Sequence, residues 1–268
     1  MKKFALTVLT AVTTLLAVAP ASTFAATTDS NWLDTSNVNS GYIAVNYTPD
    51  NTARTKVMIS KNDTTYTYDL NTVSAASFPL QLGNGTYEVT LLENTSGNNY
   101  KKVGTDSLQL DMDDQNSVYL ASTQNVNWKN SAAVISKAQQ LTANATTDTQ
   151  KAQAIYDYIT SNVKYNYAFA NALPAVYIPS PEETLASGKG ICYDYASLNA
   201  AMLRSVGIPA KLVMGTTTRV KEYHAWNEVF LNGKWVTVDT TVDASMKQGG
   251  KKTTLTTDSA QYTAVKVY

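Results

Sequence analysis

The sequence is short of the residues that build disulfides and metal sites. Among its 268 residues there is one cysteine, Cys192, and one histidine, His224. A single thiol cannot form an intramolecular disulfide, so the fold has to be stabilised by its hydrophobic core. A zinc site is disfavoured because neither residue has a second copy at ligand spacing. We therefore predict no metal and no cofactor.

The chain also lacks an excess of charge and a long apolar run. Its 21 basic residues equal its 21 acidic ones, which gives no electrostatic basis for binding nucleic acid or an anionic membrane. After the first 26 residues, no apolar stretch reaches the roughly 18 residues that a membrane span requires. We predict neither a nucleic-acid partner nor a transmembrane segment.

Residues 1–25 are typical of a signal peptide. A short basic start precedes an apolar run from Phe4 to Val18, which is too short and too weakly apolar for a membrane span. The small residues of Thr23-Phe24-Ala25 predict cleavage after Ala25, and a cut after Ala21 is the less favoured alternative. We therefore expect a secreted protein, either free in the extracellular space or associated with the cell wall.

Between residues 27 and 125, apolar and polar residues alternate in short segments separated by turn residues. The alternation is clearest in GYIAVNY, TKVMIS, TTYTYDL, TYEVTLL and SLQLDM. Period two indicates half-buried strands, and Asn62-Asp63 and Ser96-Gly97-Asn98 supply turns. The segment is predicted to be a small all-β sandwich of five to seven strands, with a pattern similar to immunoglobulin-like or fibronectin-type domains.

The hydrophobic period changes from two to 3.6 after Trp128. The segment SAAVISKAQQL predicts a first helix, and Thr147 with Gln150 forms a capping box before a second, amphipathic one. We place a domain boundary between residues 122 and 130, so that a mixed helical and strand domain occupies residues 126–268.

Cys192 lies where a helix is predicted to begin. Gly188 and Gly190 interrupt the chain before it, and an apolar helical stripe follows it. A lone cysteine is more often an inert core residue. At a helix N-terminus, however, free N–H groups and the helix dipole favour the thiolate, which attacks carbonyl carbon. Cys192 is therefore a candidate nucleophile.

His224 lies in the alternating segment YHAWNEVF, which predicts a strand. Asn232-Gly233 follows and predicts a two-residue hairpin turn. Pairing of Leu231 with Lys234 would set Asp239 on the next strand, diagonal to His224 and on the same face. The carboxylate could then orient the imidazole and stabilise its protonated form.

The segments GKGICYDYASLNAAMLRSVGIPAKLVMG and YHAWNEVFLNGKWVTVDTT resemble the core of the transglutaminase-like superfamily of papain-like thiol enzymes. The upstream segment TQKAQAIYDYITSNVKYNY is similar to the lead-in helix of its secreted bacterial members. The resemblance covers roughly residues 130 to 245. It implies an α+β fold in which helices pack on an antiparallel sheet, here preceded by the all-β sandwich.

The resemblance also implies residue roles. By match to the family's motifs, Cys192 is the nucleophile, His224 the general base and Asp239 the orienting acid. The third motif usually reads Asp-Pro-Thr and here reads Asp239-Thr240-Thr241, so we expect less local rigidity but an unchanged carboxylate. The oxyanion would be bound by the Cys192 backbone N–H, with the side chain of Tyr165 or Tyr167 as a further candidate donor.

The resulting thioester could pass to an amine or to water, and the sequence leaves both open. The favoured interpretation is a secreted acyl transferase that acts on glutamine-type amides of peptides or proteins. One alternative is a cysteine peptidase or amidase on cell-wall or protein peptides. A second is a non-catalytic module whose N-terminal sandwich binds cell wall or protein through exposed tyrosines.

Overall fold

The computed structural model describes residues 32–49, 53–70 and 76–268. The predicted signal peptide and its cleavage site lie outside these ranges. Antiparallel strands come first, and a mixed region of helices and a further antiparallel sheet follows. The predicted α+β fold class with an N-terminal β region is thus confirmed. Within the three described ranges, no helix has the length and apolar character needed to cross a bilayer.

The N-terminal strands form two antiparallel sheets. Their bounds are Leu33–Asp34 (β1), Tyr42–Val45 (β2), Thr55–Lys61 (β3), Thr64–Leu70 (β4), Ala76–Pro79 (β5), Gly85–Ser96 (β6) and Asn99–Leu110 (β7). One sheet has the order β1-β2-β5 and the other β4-β3-β6-β7. Alternate residues such as Ile43, Val57 and Val89 are buried, as the period-two pattern predicts. The division of the chain at residues 27–125 stays a prediction.

Six α-helices and six further strands follow in the described residues after β7. The helices are Ala132–Thr142 (α1), Asp148–Asn162 (α2), Tyr167–Ala170 (α3), Pro181–Ser187 (α4), Cys192–Ser205 (α5) and Thr240–Gln248 (α6). The strands are Lys164–Tyr165 (β8), Lys189–Gly190 (β9), Ala210–Thr217 (β10), Val220–Leu231 (β11), Lys234–Val238 (β12) and Tyr262–Val267 (β13). β8 and β9 form a parallel pair, and the others form an antiparallel sheet of order β12-β11-β10-β13.

The predicted N-terminus of α2 is confirmed in detail. The Thr147 hydroxyl accepts a hydrogen bond from the backbone of Gln150, whose side chain accepts one from the backbone of Thr147. This capping box satisfies N–H groups that have no partner within the helix. The buried residues Ala152, Ile155 and Ile159 form the stripe that packs on the core.

α5 is more deeply buried than its apolar stripe predicts. Every residue from Asp194 to Arg204 is buried, so α5 is the central helix and other elements pack around it. Polar side chains on this helix have partners: Asn199 donates to the Asn227 side chain on β11, and Asn227 donates to the carbonyl of Ala196. Paired amides can be buried at little cost because their hydrogen bonds are made.

The hairpin between β11 and β12 has the predicted register. Leu231 pairs with Lys234, and the pairing continues to Asn227 with Val238. Asn232 has a φ of 53° and Gly233 a φ of 77°, as a tight two-residue turn requires. The strand ends at Val238, however, one residue before Asp239.

The N-terminal sandwich covers an edge of the C-terminal sheet. Val267 on the outer strand β13 donates its N–H to the Tyr66 hydroxyl, and its carbonyl accepts from Gln81. The Tyr66 and Tyr268 rings also meet edge-to-face, with centroids 5.8 Å apart. These contacts satisfy backbone groups that an open edge would expose, and they fix β13 next to β10.

Candidate active site

Cys192 is the first residue of α5, and its side chain is partly exposed. The turn before it is held by Asp194, whose Oδ2 accepts the Ile191 N–H at 2.8 Å and whose Oδ1 accepts the Tyr177 hydroxyl at 2.6 Å. A Cβ on Gly190 would lie 2.5 Å from the Asp194 Cβ, so this close approach requires glycine. The structure places Cys192 at the start of a helix, as the sequence predicts.

His224 on β11 meets Asp239. Nε2 of His224 lies 2.9 Å from Oδ2 of Asp239, and the two residues are 3% and 0% exposed. Asp239 is not on the next strand, as the sequence suggested. It is the N-cap residue of α6, and its Oδ1 accepts the Val242 N–H at 3.1 Å. Helix capping therefore holds the carboxylate against the imidazole.

The environment favours the charged forms of both partners. Burial raises the pKa of Asp239, but hydrogen bonds from His224, the Val242 N–H and Tyr262 outweigh it and leave this pKa below its usual value. Burial lowers the pKa of His224, whereas the hydrogen bond to Asp239 and the adjacent Cys192 thiol raise it, with the net result that it reaches about 9. Opposite charge and hydrogen bonding thus outweigh desolvation.

His224 is expected to titrate with a midpoint near pH 9. The measurement is a pH titration of the imidazole proton signals by nuclear magnetic resonance. Because the chain has one histidine, these signals need no assignment when the protein carries no histidine tag. A midpoint near the ordinary value of about 6.5 would contradict the charged pair with Asp239.

The same shift makes stability depend on pH. The folded-state pKa of His224 lies above its ordinary value of about 6.5, so its contribution to the free energy of unfolding is fully present below about pH 6.5. It is lost as the pH rises through about 9.

The two candidate oxyanion donors occupy different positions. Tyr165 on β8 pairs with Gly190, two residues before Cys192, and its pKa is raised first by burial and then by the neighbouring Cys192. Tyr167 is 69% exposed, and its ring centroid lies 4.9 Å from that of Tyr165. The geometry thus favours Tyr165 over Tyr167, and the role itself stays a prediction.

A chain of polar side chains behind Asp239 was missed by the sequence reasoning. The Tyr262 hydroxyl donates to Asp239 Oδ2 at 2.8 Å, and Arg219 Nη1 donates to the Tyr262 oxygen at 3.1 Å. Arg219 Nη2 also donates to Asp243 at 2.9 Å, and Tyr156 donates to the other oxygen of Asp243 at 3.0 Å. These residues come from β13, the β10–β11 turn, α6 and α2. Tyr262, Arg219 and Asp243 lie outside the segments that carry the family resemblance, whereas Tyr156 lies within the upstream helix segment.

Residues 135–240 match a family model described as the transglutaminase-like superfamily. The match confirms the resemblance found in the sequence, and it spans Cys192, His224 and Asp239. Together with the geometry around the thiol, it supports a cysteine enzyme in general. No protein with a curated function matches this chain.

Solved structures resemble the chain at low identity. A candidate cysteine protease from Cytophaga hutchinsonii is 18% identical with a TM-score of 0.42, over 75% of this chain and 78% of that one. The periplasmic domain of TgpA from Pseudomonas aeruginosa is 14% identical with a TM-score of 0.41, over 61% and 72%. Red sea bream transglutaminase is 10% identical with a TM-score of 0.30, over 74% of this chain and 47% of that enzyme. At such scores, none of these likenesses bears on residue roles here.

Proposed function

We propose that this protein is a secreted cysteine acyl transferase of transglutaminase-like type. It forms a thioester from a glutamine-type amide of a peptide or protein and passes the acyl group to an amine or to water. The observation that carries the proposal is the buried His224–Asp239 pair, joined at 2.9 Å, beside the thiol of Cys192 at the start of α5. Secretion rests on the signal-peptide pattern of residues 1–25.

The resting state of the site is an ion pair between thiolate and imidazolium. With its pKa raised to about 9, His224 is protonated at neutral pH. Nε2 donates to Asp239, so Nδ1 is the ring nitrogen that serves the thiolate. The N–H groups at the start of α5 stabilise the negative sulfur.

Acylation begins when the Cys192 sulfur attacks the carbonyl carbon of the amide. The negative charge that develops on the carbonyl oxygen is stabilised by the Cys192 backbone N–H, with the Tyr165 hydroxyl as the second donor. His224 gives its proton to the leaving nitrogen, the C–N bond breaks, and ammonia or an amine departs. A thioester and a neutral imidazole remain.

Deacylation uses the same groups in the reverse sense. Neutral His224 accepts a proton from the incoming nucleophile, which attacks the thioester carbon, and the sulfur departs as thiolate. A primary amine yields an isopeptide bond, whereas water yields a carboxylic acid. Asp239 keeps the imidazole oriented in both steps.

Incorporation of an amine is the test of this proposal. With casein as acyl donor and a fluorescent primary amine as acceptor, we expect the amine to be attached at glutamine side chains with release of ammonia, as measured by mass spectrometry. His224→Ala is expected to lose this product. Ammonia or new N-termini without attached amine would overturn the transferase and leave the amidase or peptidase. A reaction that persists in Cys192→Ala would overturn both.

A further inference from the structure

Asp239 is held from more than one side. It is 0% exposed, and its Oδ1 accepts the Val242 N–H at 3.1 Å. Its Oδ2 lies 2.9 Å from His224 Nε2 and accepts the Tyr262 hydroxyl at 2.8 Å. One carboxylate oxygen is therefore shared between His224 and Tyr262.

The direction of the Tyr262 hydrogen bond is determined by Arg219. A guanidinium has donors and no acceptor, so the Tyr262 oxygen must accept from Arg219 Nη1, which lies 3.1 Å away. The hydroxyl hydrogen is then free only for Asp239. Arg219 is in turn fixed by its ion pair with Asp243, at 2.9 Å. A tyrosine hydroxyl that accepts a hydrogen bond from a cation also donates its own hydrogen bond more strongly.

The sheet places Tyr262 within reach of Asp239. Tyr262 is the first residue of β13 and pairs with Thr217 on β10. A Cβ on Gly215 would overlap the Thr263 carbonyl oxygen, so β13 can approach β10 this closely only because residue 215 is glycine. The Trp226 ring packs against the Tyr262 ring with centroids 5.0 Å apart. Packing and register together fix the hydroxyl.

We propose that Tyr262 is a positioning residue, which holds the Asp239 carboxylate in the orientation that His224 needs and takes up part of its negative charge. The consequence for catalysis rests on the proposed function. Without the hydroxyl, Oδ2 would be left to His224 alone, and the attraction between carboxylate and imidazolium would increase. His224 would then give up its proton to the leaving nitrogen less readily.

Charged or titratable groups from five elements contact the His224–Asp239 pair directly or through one another. They are Cys192 from α5, Tyr262 from β13, Arg219 from the β10–β11 turn, Asp243 from α6 and Tyr156 from α2. Tyr156 donates to Asp243 at the far end of this chain of contacts. It therefore offers a matched control, a buried tyrosine hydroxyl that touches neither Asp239 nor His224.

Titration of His224 in Tyr262→Phe tests the proposal. We expect the midpoint to rise by about 0.5 to 1 pH unit, whereas Tyr156→Phe leaves it within about 0.2 units of wild type. In the amine-incorporation assay, Tyr262→Phe is expected to lower kcat about tenfold with little change in KM. The titration is repeated in a Cys192→Ala background, where no thiol contributes to the shift.

An unchanged or lowered midpoint in folded Tyr262→Phe would overturn the proposal, as would an equal shift in Tyr156→Phe. If Tyr262→Phe does not fold, Arg219→Gln removes the donor that directs the hydroxyl and is expected to shift the midpoint in the same direction. An unshifted midpoint in that variant would overturn the proposal too. The titration needs no substrate, so it decides the role of Tyr262 even if transfer and hydrolysis are both absent.

Discussion

Cys192→Ala is expected to abolish acyl transfer and hydrolysis, with a loss of at least about 10⁴-fold in kcat. The remaining donors can bind and polarise the amide, but no thioester can form without the sulfur. The side chain is only partly exposed and lies at the first position of α5, outside the buried stretch from Asp194 to Arg204. We therefore expect thermal unfolding to stay within a few degrees of wild type. Mass spectrometry of the products and circular dichroism measure the two effects.

A misplaced thiol provides the matched control for this loss. Ser205, at the last position of α5, donates to the carbonyl of Met202, and Ser205→Cys in the Cys192→Ala background restores one thiol far from His224. This double variant is expected to stay inactive. Activity of this double variant would mean that a thiol can act away from the start of α5 and away from His224, which would contradict the proposed mechanism.

Arg204→Met is expected to lower the free energy of unfolding by about 2–4 kcal/mol. Arg204 is 2% exposed, and its guanidinium donates to the carbonyls of Ala210 at 2.9 Å, Ala121 at 2.7 Å and Tyr268 at 3.0 Å. Methionine has a similar length but no donor, so the Ala210 and Ala121 carbonyls would lose this buried partner. The Tyr268 oxygen would keep its hydrogen bond from the Leu212 N–H. Urea unfolding followed by fluorescence measures the loss.

Arg54 is the control for this substitution. It is exposed and donates to the carbonyl of Gly97, and Arg54→Met is expected to change stability by no more than about 0.5 kcal/mol. Equal effects of the two substitutions would show that the buried contacts of Arg204 contribute little. Arg204 joins α5 to Ala121, Ala210 and Tyr268. We therefore expect Arg204→Met to shift the midpoint of a single cooperative unfolding transition rather than to unfold one region locally.

Local patterns predicted much of the fold. Period-two alternation located β3, β4 and β6, the capping box located the start of α2, and Asn232-Gly233 set the register from Leu231–Lys234 to Asn227–Val238. Each of these features depends on residues close in sequence. Turn chemistry and side-chain periodicity therefore suffice to predict them.

The environment of Asp239 depends on contacts that local patterns do not contain. Its partner Tyr262 comes from β13, and the register of β13 depends on the absence of a side chain at Gly215. The sequence placed Asp239 on a strand, whereas it caps α6. Strand pairing predicts which residues share a face, but it does not say where a strand gives way to a helix.

The departure from the family's third motif has a structural context. Thr240 occupies the first position of α6, where proline is commonly found because its missing N–H is not needed. Threonine still allows the helix to begin there, and Asp239 is held by the Val242 N–H as well as by His224 and Tyr262. These hydrogen bonds supply the rigidity that the loss of proline would remove.

Alkylation of Cys192 tests the central claim most directly, because this is the only thiol in the chain and no substrate has to be known. At pH 6 we expect iodoacetamide to react with the folded protein at least about tenfold faster than with the same protein unfolded in urea. His224→Ala should remove this advantage. A folded protein that reacts no faster than the unfolded chain would contradict a thiol activated by His224 and Asp239.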